Sequence, residues 1–401
     1  MKFGEGVSTE VGYEAKRLGM TDVLIVTDRN IHENTDMVAH IADRLTDKGI
    51  SVDVFDGVHI EPTDAEVAKG IEYTTGKGHD GFIGLGGGSS IDTAKMINLY
   101  TTHPTDDFKD YISPPIGKGK PVPSPLEPHI AIPTTAGTGS ENTPIAVVDL
   151  VQEKLKTAVS HPYLLPDYAL LDPVLTISLP PYYTASTGMD ALLHSIEAYT
   201  CIPYDTRPRP ESPGKRPVYV GSNPVSDIFV EKSIELIGRH VRTACHEPTD
   251  LEARHHMLLA AHLGGAFGNA GVHIPHALSY PIAGRNHEIP HGVAVCITGA
   301  AALEFLEPKV PEKLGRVARL LGEETGGLSK AEVAASAKEA LLSLMKDIDF
   351  PSGIADLGFG EEDIDELASA GIKISRLLSC SPRRVKLEDI REIYRKSLHN
   401  W

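Results

Sequence analysis

Two regimes of hydrophobic patterning divide the chain. Up to about residue 179, short β-branched apolar runs alternate with stretches of helical period. Val23–Val26, Val52–Phe55, Gly81–Leu85, His129–Ile132 and Tyr168–Pro173 read as strands. Runs this apolar, with little polar alternation, predict strands covered on both faces, as in a parallel sheet sandwiched by helices. Residues 36–48 and 64–75 carry the intervening helical period, the first stopped by Gly49 and the second capped by Thr63 or Asp64. Ile145–Leu150 and Lys156–Ser160 read as a hairpin.

After Pro180-Pro181 the alternation ends. Helices are expected over 181–199, 224–245, 250–269, 276–283, 291–306, 312–321, 330–348, 361–369 and 387–396. The pattern therefore predicts an α/β N-terminal domain with a Rossmann-like parallel sheet, residues 1–179, followed by an all-α C-terminal domain, residues 180–401. The proline-rich stretch 202–222 cannot be helical, because proline lacks the amide donor. It carries Arg207, Arg209, Lys215 and Arg216 and reads as a basic arm, or else as a solvated loop.

Charge changes the picture by exclusion. A formal net charge of -17 argues against nucleic acid or an anionic membrane as a partner. It leaves small anionic substrates open, since a local basic pocket is invisible in a sum. Cys201, Cys245, Cys296 and Cys380 are widely spaced, which suggests neither a disulfide framework nor a zinc ribbon. With no signal-peptide pattern after Met1 and no apolar run of membrane length, a cytoplasmic location is expected.

Two places carry candidate chemistry. Gly86-Gly87-Gly88-Ser89-Ser90 follows a strand and opens a helix, so bare backbone N–H groups and the helix dipole can meet a pyrophosphate. The hydroxyl-rich loop 133–141, with Thr135 and Thr138, can wrap a cofactor beside it. Asp28 ends a strand and is the candidate for a ribose hydroxyl, where its charge would disfavour a 2′-phosphate; a helix cap is the competing role. In the helical half, Asp190 and His194 stand four apart on one helical face. His276 and His291 would add two nitrogens. One Asp and three His can hold a divalent metal that acts as a Lewis acid toward an alcohol or carbonyl.

Taken in order, Gly86–Ser89, Pro133–Glu141, Gly188-Met189-Asp190 with His194, and Pro290-His291-Gly292 resemble the iron-containing (group III) alcohol dehydrogenases over nearly the whole chain. The resemblance implies a dehydroquinate synthase-like architecture and a catalytic metal held by Asp190, His194, His276 and His291, iron(II) with zinc as the other metal. It implies NAD contacts at Asp28, Gly87, Gly88, Ser89, Asp92, Thr135, Thr138 and Lys156. Lys118–Pro121, Arg216–Asp227, Asp250–Arg254 and Gly268–His273 further resemble the hydroxyacid-oxoacid transhydrogenase branch. That branch oxidises 4-hydroxybutyrate and reduces 2-oxoglutarate with the nicotinamide held throughout; the alternative is a plain NAD-dependent alcohol dehydrogenase with free cofactor.

Simpler members of the family often carry a second His four positions after His276, where this chain has Tyr280. His273 or His287 is then the candidate relay. Hydroxy and oxo acids carry a carboxylate, for which Arg207, Arg209, Lys215 and Arg216 are the candidate cations. A homodimer or higher homo-oligomer is expected.

Overall fold

Alternate residues of the strand Asp22–Asp28 go to opposite cores, which is the direct consequence of a two-residue side-chain period. Val23 and Ile25 join Ile41, Ile83, Leu85, Ile130 and Ile132 on one face, while Leu24 and Val26 join Phe55, Phe82, Ala94 and Ile97 on the other. Both faces are therefore dry, as the unbroken apolar runs predict. The computed structural model describes residues 1–114, 116–153, 155–213 and 216–401, in two compact units, Met1–Ser178 and Leu179–Trp401.

The first unit contains β1 (Lys2–Phe3), β2 (Asp22–Asp28), β3 (Ser51–Val58), β4 (Gly81–Gly86), β5 (His129–Pro133), β6 (Ile145–Leu150), β7 (Leu155–Ser160) and β8 (Tyr168–Leu171). Six of these form one parallel sheet in the order β1-β8-β5-β4-β2-β3, and β6 pairs with β7 as an antiparallel hairpin. The connection from β2 runs to one side and the next connection returns to the other, so the strand order reverses beside β2 and β4. Ligands of open α/β sheets bind at the carboxyl ends of strands at such a switch point. Asp28 and the glycine turn stand at those two strand ends.

Local pattern missed some elements. The helix Val11–Arg17 and the two-residue β1 were not expected. β1 pairs with Leu170 and Leu171, a partner too distant for a local reading. Asp28 starts an extra helix, Arg29–Asn34, ahead of Met37–Thr46.

In the second unit the described residues form helices, the longest being Pro181–Thr200, Pro224–His246, Leu251–Gly264 and Lys330–Asp347. The helix expected over 250–269 stops at Gly264 and resumes at Phe267–Ala270, because the Gly264-Gly265 pair lowers helix stability at that point. The one expected over 291–306 is likewise two, His291–Cys296 and Gly299–Leu306. Among the described residues no helix is long and apolar enough to cross a membrane. The 202–222 arm is closed at its base, where Tyr204 N–H donates to the Ser222 carbonyl and Ser222 N–H to the Ile202 carbonyl, each at 3.1 Å.

Candidate metal and dinucleotide sites

The helix Pro181–Thr200 is buried all round over its second half, Gly188 to Thr200. Polar groups in such a helix must find partners inside the protein. Asp190 is 2% exposed and faces two later elements, the helices Ile274–Arg285 and His291–Cys296. His276 Nε2 lies 3.5 Å and His291 Nε2 3.9 Å from Asp190 Oδ1. One ligand atom from each of Asp190, His276 and His291 lies within 4.8 Å of the others. His194 stands beside this trio, its Nδ1 3.8 Å from Asp190 Oδ2, with its ring stacked on Phe267 and on His276 at centroid distances of 4.0 and 4.4 Å.

Gly292 makes the third approach possible. A Cβ there would sit 2.0 Å from the Ser186 carbonyl oxygen, one turn before Asp190. We expect Gly292→Ala to push the His291 helix away, costing ~1–3 kcal/mol of stability through overpacking. Metal content after dialysis should fall with the urea midpoint; an unchanged metal content would show that the close approach is incidental.

Asp190 Oδ1, His194 Nδ1 and His276 Nε2 are buried without a hydrogen-bond partner among the described residues. Orphaned acceptor-type atoms in one buried place are costly unless another group satisfies them. A divalent cation does so, and one carboxylate with imidazoles suits a first-row transition metal. Burial would raise the Asp190 pKa, but His194, His291 and His276 outweigh it and hold the carboxyl well below the usual range. Burial pulls His194 down to about 3 against the attraction of Asp190. Burial also lowers His276, yet Glu197 and Asp190 push it up to about 9. A metal binding at His276 Nε2 must displace that proton.

Glu197 was not singled out from sequence. Its Oε1 accepts from His276 Nδ1 at 2.5 Å, and its Oε2 accepts from His273 N–H. The first bond keeps the proton on Nδ1, so that Nε2, on the side of Asp190, is the nitrogen that could meet a metal. A signal was present, since Glu197 is seven positions after Asp190 and three after His194 on one helical face. Glu197→Gln should weaken metal binding by about 10–100-fold, the usual cost of losing such an outer partner. Chelator competition measures this, and unchanged affinity would remove Glu197 from the site.

In the first unit, the glycine turn and the hydroxyl loop are brought together. A Cβ on Gly88 would come within 2.6 Å of the Thr138 side chain, and one on Gly87 within 3.5 Å of Thr135. Gly87 caps the 15-residue helix Gly88–Thr102 without side-chain help, leaving its first N–H groups open to an anion. Ser89 donates its hydroxyl to the Ile60 carbonyl. Asp28 Oδ1 accepts from Ile31 N–H at 2.9 Å, so it serves as the cap that was its competing reading.

Three of the candidate residues also have partners within the fold. Asp92 is tied into the fold, accepting from the Ser140 hydroxyl and from Val147 N–H at 2.9 Å, so its carboxylate anchors the loop. Lys156 is ion-paired with Glu61, both nearly buried, and its charge is already met. His273 is buried, with Nδ1 accepting from Ile274 N–H at 2.8 Å and Nε2 3.0 Å from the Thr200 hydroxyl. Burial lowers it to about 4, and both ring nitrogens are engaged.

In the arm, Arg209 and Arg216 are exposed, Lys215 lies outside the described residues, and Arg207 turns inward, its Nη2 3.3 Å from Cys380 Sγ. Tyr280 is half-buried beside Arg376. Lys95, also unanticipated, is fully buried and donates to the carbonyls of Ser140 and Ile145 at 2.7 Å and of Thr143 at 3.1 Å.

Residues 1–173 match the model of "Iron-containing alcohol dehydrogenase", and residues 218–398 that of "Fe-containing alcohol dehydrogenase family, C-terminal". The chain belongs to the iron-containing alcohol dehydrogenase family. It is 38% identical to the mitochondrial hydroxyacid-oxoacid transhydrogenase of Bos taurus, over 99% of this chain and 88% of that protein. Among solved structures it resembles an alcohol dehydrogenase from Oenococcus oeni, with a TM-score of 0.89 and 31% identity over 99% of this chain and 97% of that one. It also resembles a sulfoacetaldehyde reductase from Bifidobacterium kashiwanohense in complex with NAD+, with a TM-score of 0.81 and 29% identity over 99% and 96%.

This iron-containing alcohol dehydrogenase family member is an oxidoreductase of dehydroquinate synthase-like fold. The cytoplasmic expectation is corrected, because the transhydrogenases it resembles are named mitochondrial.

Proposed function

We propose that this oxidoreductase is an iron- and NAD-dependent hydroxyacid-oxoacid transhydrogenase, oxidising 4-hydroxybutyrate and reducing 2-oxoglutarate. The reading is carried by the buried cluster of Asp190, His276 and His291 with His194 beside it. The family name favours iron over zinc, which the donor atoms alone do not separate. When bound there, the metal supplies Lewis-acid charge that lowers the pKa of a substrate hydroxyl or polarises a carbonyl.

The chain's own residues hold that site ready. Asp190 stays ionised, Glu197 fixes the His276 tautomer, and Phe267 stacks on the His194 ring and limits its motion. In the first unit, the N–H groups after Gly87 would hold the pyrophosphate of NAD, beside Thr135 and Thr138, which crowd the same turn. The nicotinamide, when bound, would supply the hydride acceptor and donor.

A second reading, an NAD-dependent alcohol dehydrogenase that releases its cofactor, is favoured by the names of the similar solved structures. Incubating iron-loaded protein with 4-hydroxybutyrate and 2-oxoglutarate, without added NAD, separates the two. Formation of succinic semialdehyde and 2-hydroxyglutarate is expected. Turnover only with added NAD would establish the second reading, and none under either condition would reject both.

A further inference from the structure

Arg376, in the short helix Ser375–Leu378, lies with its guanidinium 5.4 Å from the Tyr219 ring centroid; Tyr219, Tyr280 and Cys380 are its polar neighbours. Arg207 reaches the same sulfur from the arm, at 3.3 Å, and its Nε is buried without a partner. Two guanidiniums thus converge on Cys380, and among the described residues neither has a carboxylate within ion-pair distance. The other arginines of this unit that reach inward are met by carboxylates or carbonyls, as Arg254 is by the Pro248 and Leu179 carbonyls. The hydrogen bond from Cys201 draws the Cys380 thiol down to about 6, helped by Arg207 and Arg376 against burial. Even a full thiolate offsets only one of the two positive charges.

The place matters as much as the charge. Gly271, just upstream of His273 and His276, packs so closely that a Cβ would lie 3.1 Å from Cys380 Sγ and 3.2 Å from Tyr219. Tyr280 follows His276 by four residues on the helix Ile274–Arg285, so it sits on the same face about 6 Å along the axis. Two half-buried guanidiniums without a carboxylate, beside the Tyr280 that stands one turn from the candidate metal ligand, suit an anion delivered by the substrate, since the buried Nε of Arg207 lacks a partner of its own.

We propose that Arg376 and Arg207 form the carboxylate anchor of the substrate, selecting a hydroxyl and a carboxylate joined by a short methylene chain. This rests on the hydride-transfer reading above and deepens it. The planar fork of Arg matches both oxygens of a carboxylate, which a plain alcohol lacks. The anchor is a specificity device, apart from the atoms that react.

The test compares 4-hydroxybutyrate with 1-butanol, which has the same carbon chain without the carboxylate. In the metal-loaded full chain, Arg376→Met should lower kcat/KM for 4-hydroxybutyrate on the order of 10²-fold, the worth of a charge-assisted hydrogen-bond pair. The value for 1-butanol should stay within about two-fold, and Arg376→Lys should restore part of the loss. Arg207→Met should act in the same direction.

Calorimetric titration of the metal-loaded wild type with butyrate should show saturable binding that Arg376→Met loses, so the wild type alone already tests for a carboxylate site. Equal losses for both substrates, or no loss for either, would overturn the anchor. So would a wild type that uses 1-butanol as well as the acid and binds no butyrate, and that result leaves hydride transfer standing. A wild type that oxidises neither substrate yet binds butyrate through Arg376 would overturn the reaction and keep the anchor.

Discussion

Asp190→Asn should abolish metal retention and reduce turnover of any alcohol by ~10³-fold or more. The substitution keeps shape and volume but removes the only negative charge among the four candidate donors. Lewis-acid stabilisation amounts to several kcal/mol, and each 1.36 kcal/mol is about tenfold in rate. The carboxylate also sets the state of its neighbours. It lies 3.5 Å from His276 Nε2 and is among the groups that push this imidazole up to about 9. Without it, His276 loses one of two carboxylate partners and the trio within 4.8 Å becomes a pair. Metal analysis after anaerobic purification, run beside the rate assay, checks the prediction. A variant that keeps stoichiometric metal and wild-type turnover would remove Asp190 from the centre.

Lys95→Met should destabilise the first unit by ~3–5 kcal/mol, the usual result of removing one member of a buried charged network. The ammonium is fully buried and holds three backbone carbonyls of residues 140–145, the Ser140 hydroxyl at 2.8 Å and Asp92 at 3.4 Å. Burial lowers its pKa, and Asp92 and Glu141 oppose that. Methionine fills the space but leaves these acceptors unmet and Asp92 without its cation. The loop they anchor carries Thr138, which packs against Gly88. NAD affinity should therefore fall together with the denaturation midpoint. Urea unfolding followed by a first-unit probe, with NAD titration below the transition, measures both. Loss of stability with unchanged NAD affinity would confine Lys95 to the fold.

Part of the chemistry was legible as local spacing, and the particular residues show why. The pair Asp190 and His194 is visible because a helix places positions four apart on one face, whatever surrounds it. The glycine turn is visible because its three glycines directly follow a strand and open a helix. The apolar runs of β2, β4 and β5 announce two-sided burial by their lack of polar alternation. Each of these signals is carried by neighbours in sequence, and short-range backbone geometry suffices to read it.

Other features depend on where the chain returns. Glu197 meets His276 across 79 positions, and Lys95 meets the Ile145 carbonyl across 50. Arg207 meets Cys380 across 173. Local sequence therefore determined the strand and helix pattern, the phosphate-type turn and one pair of the metal donors. Tertiary structure decided which further side chains arrive beside them: it brought His276 and His291 to Asp190, tied Asp92 to Ser140 and Val147, and laid Arg207 against Cys380. The physical reason is that hydrophobic burial fixes the path of the chain collectively. A charged group's partner is set by that path and not by its own neighbours.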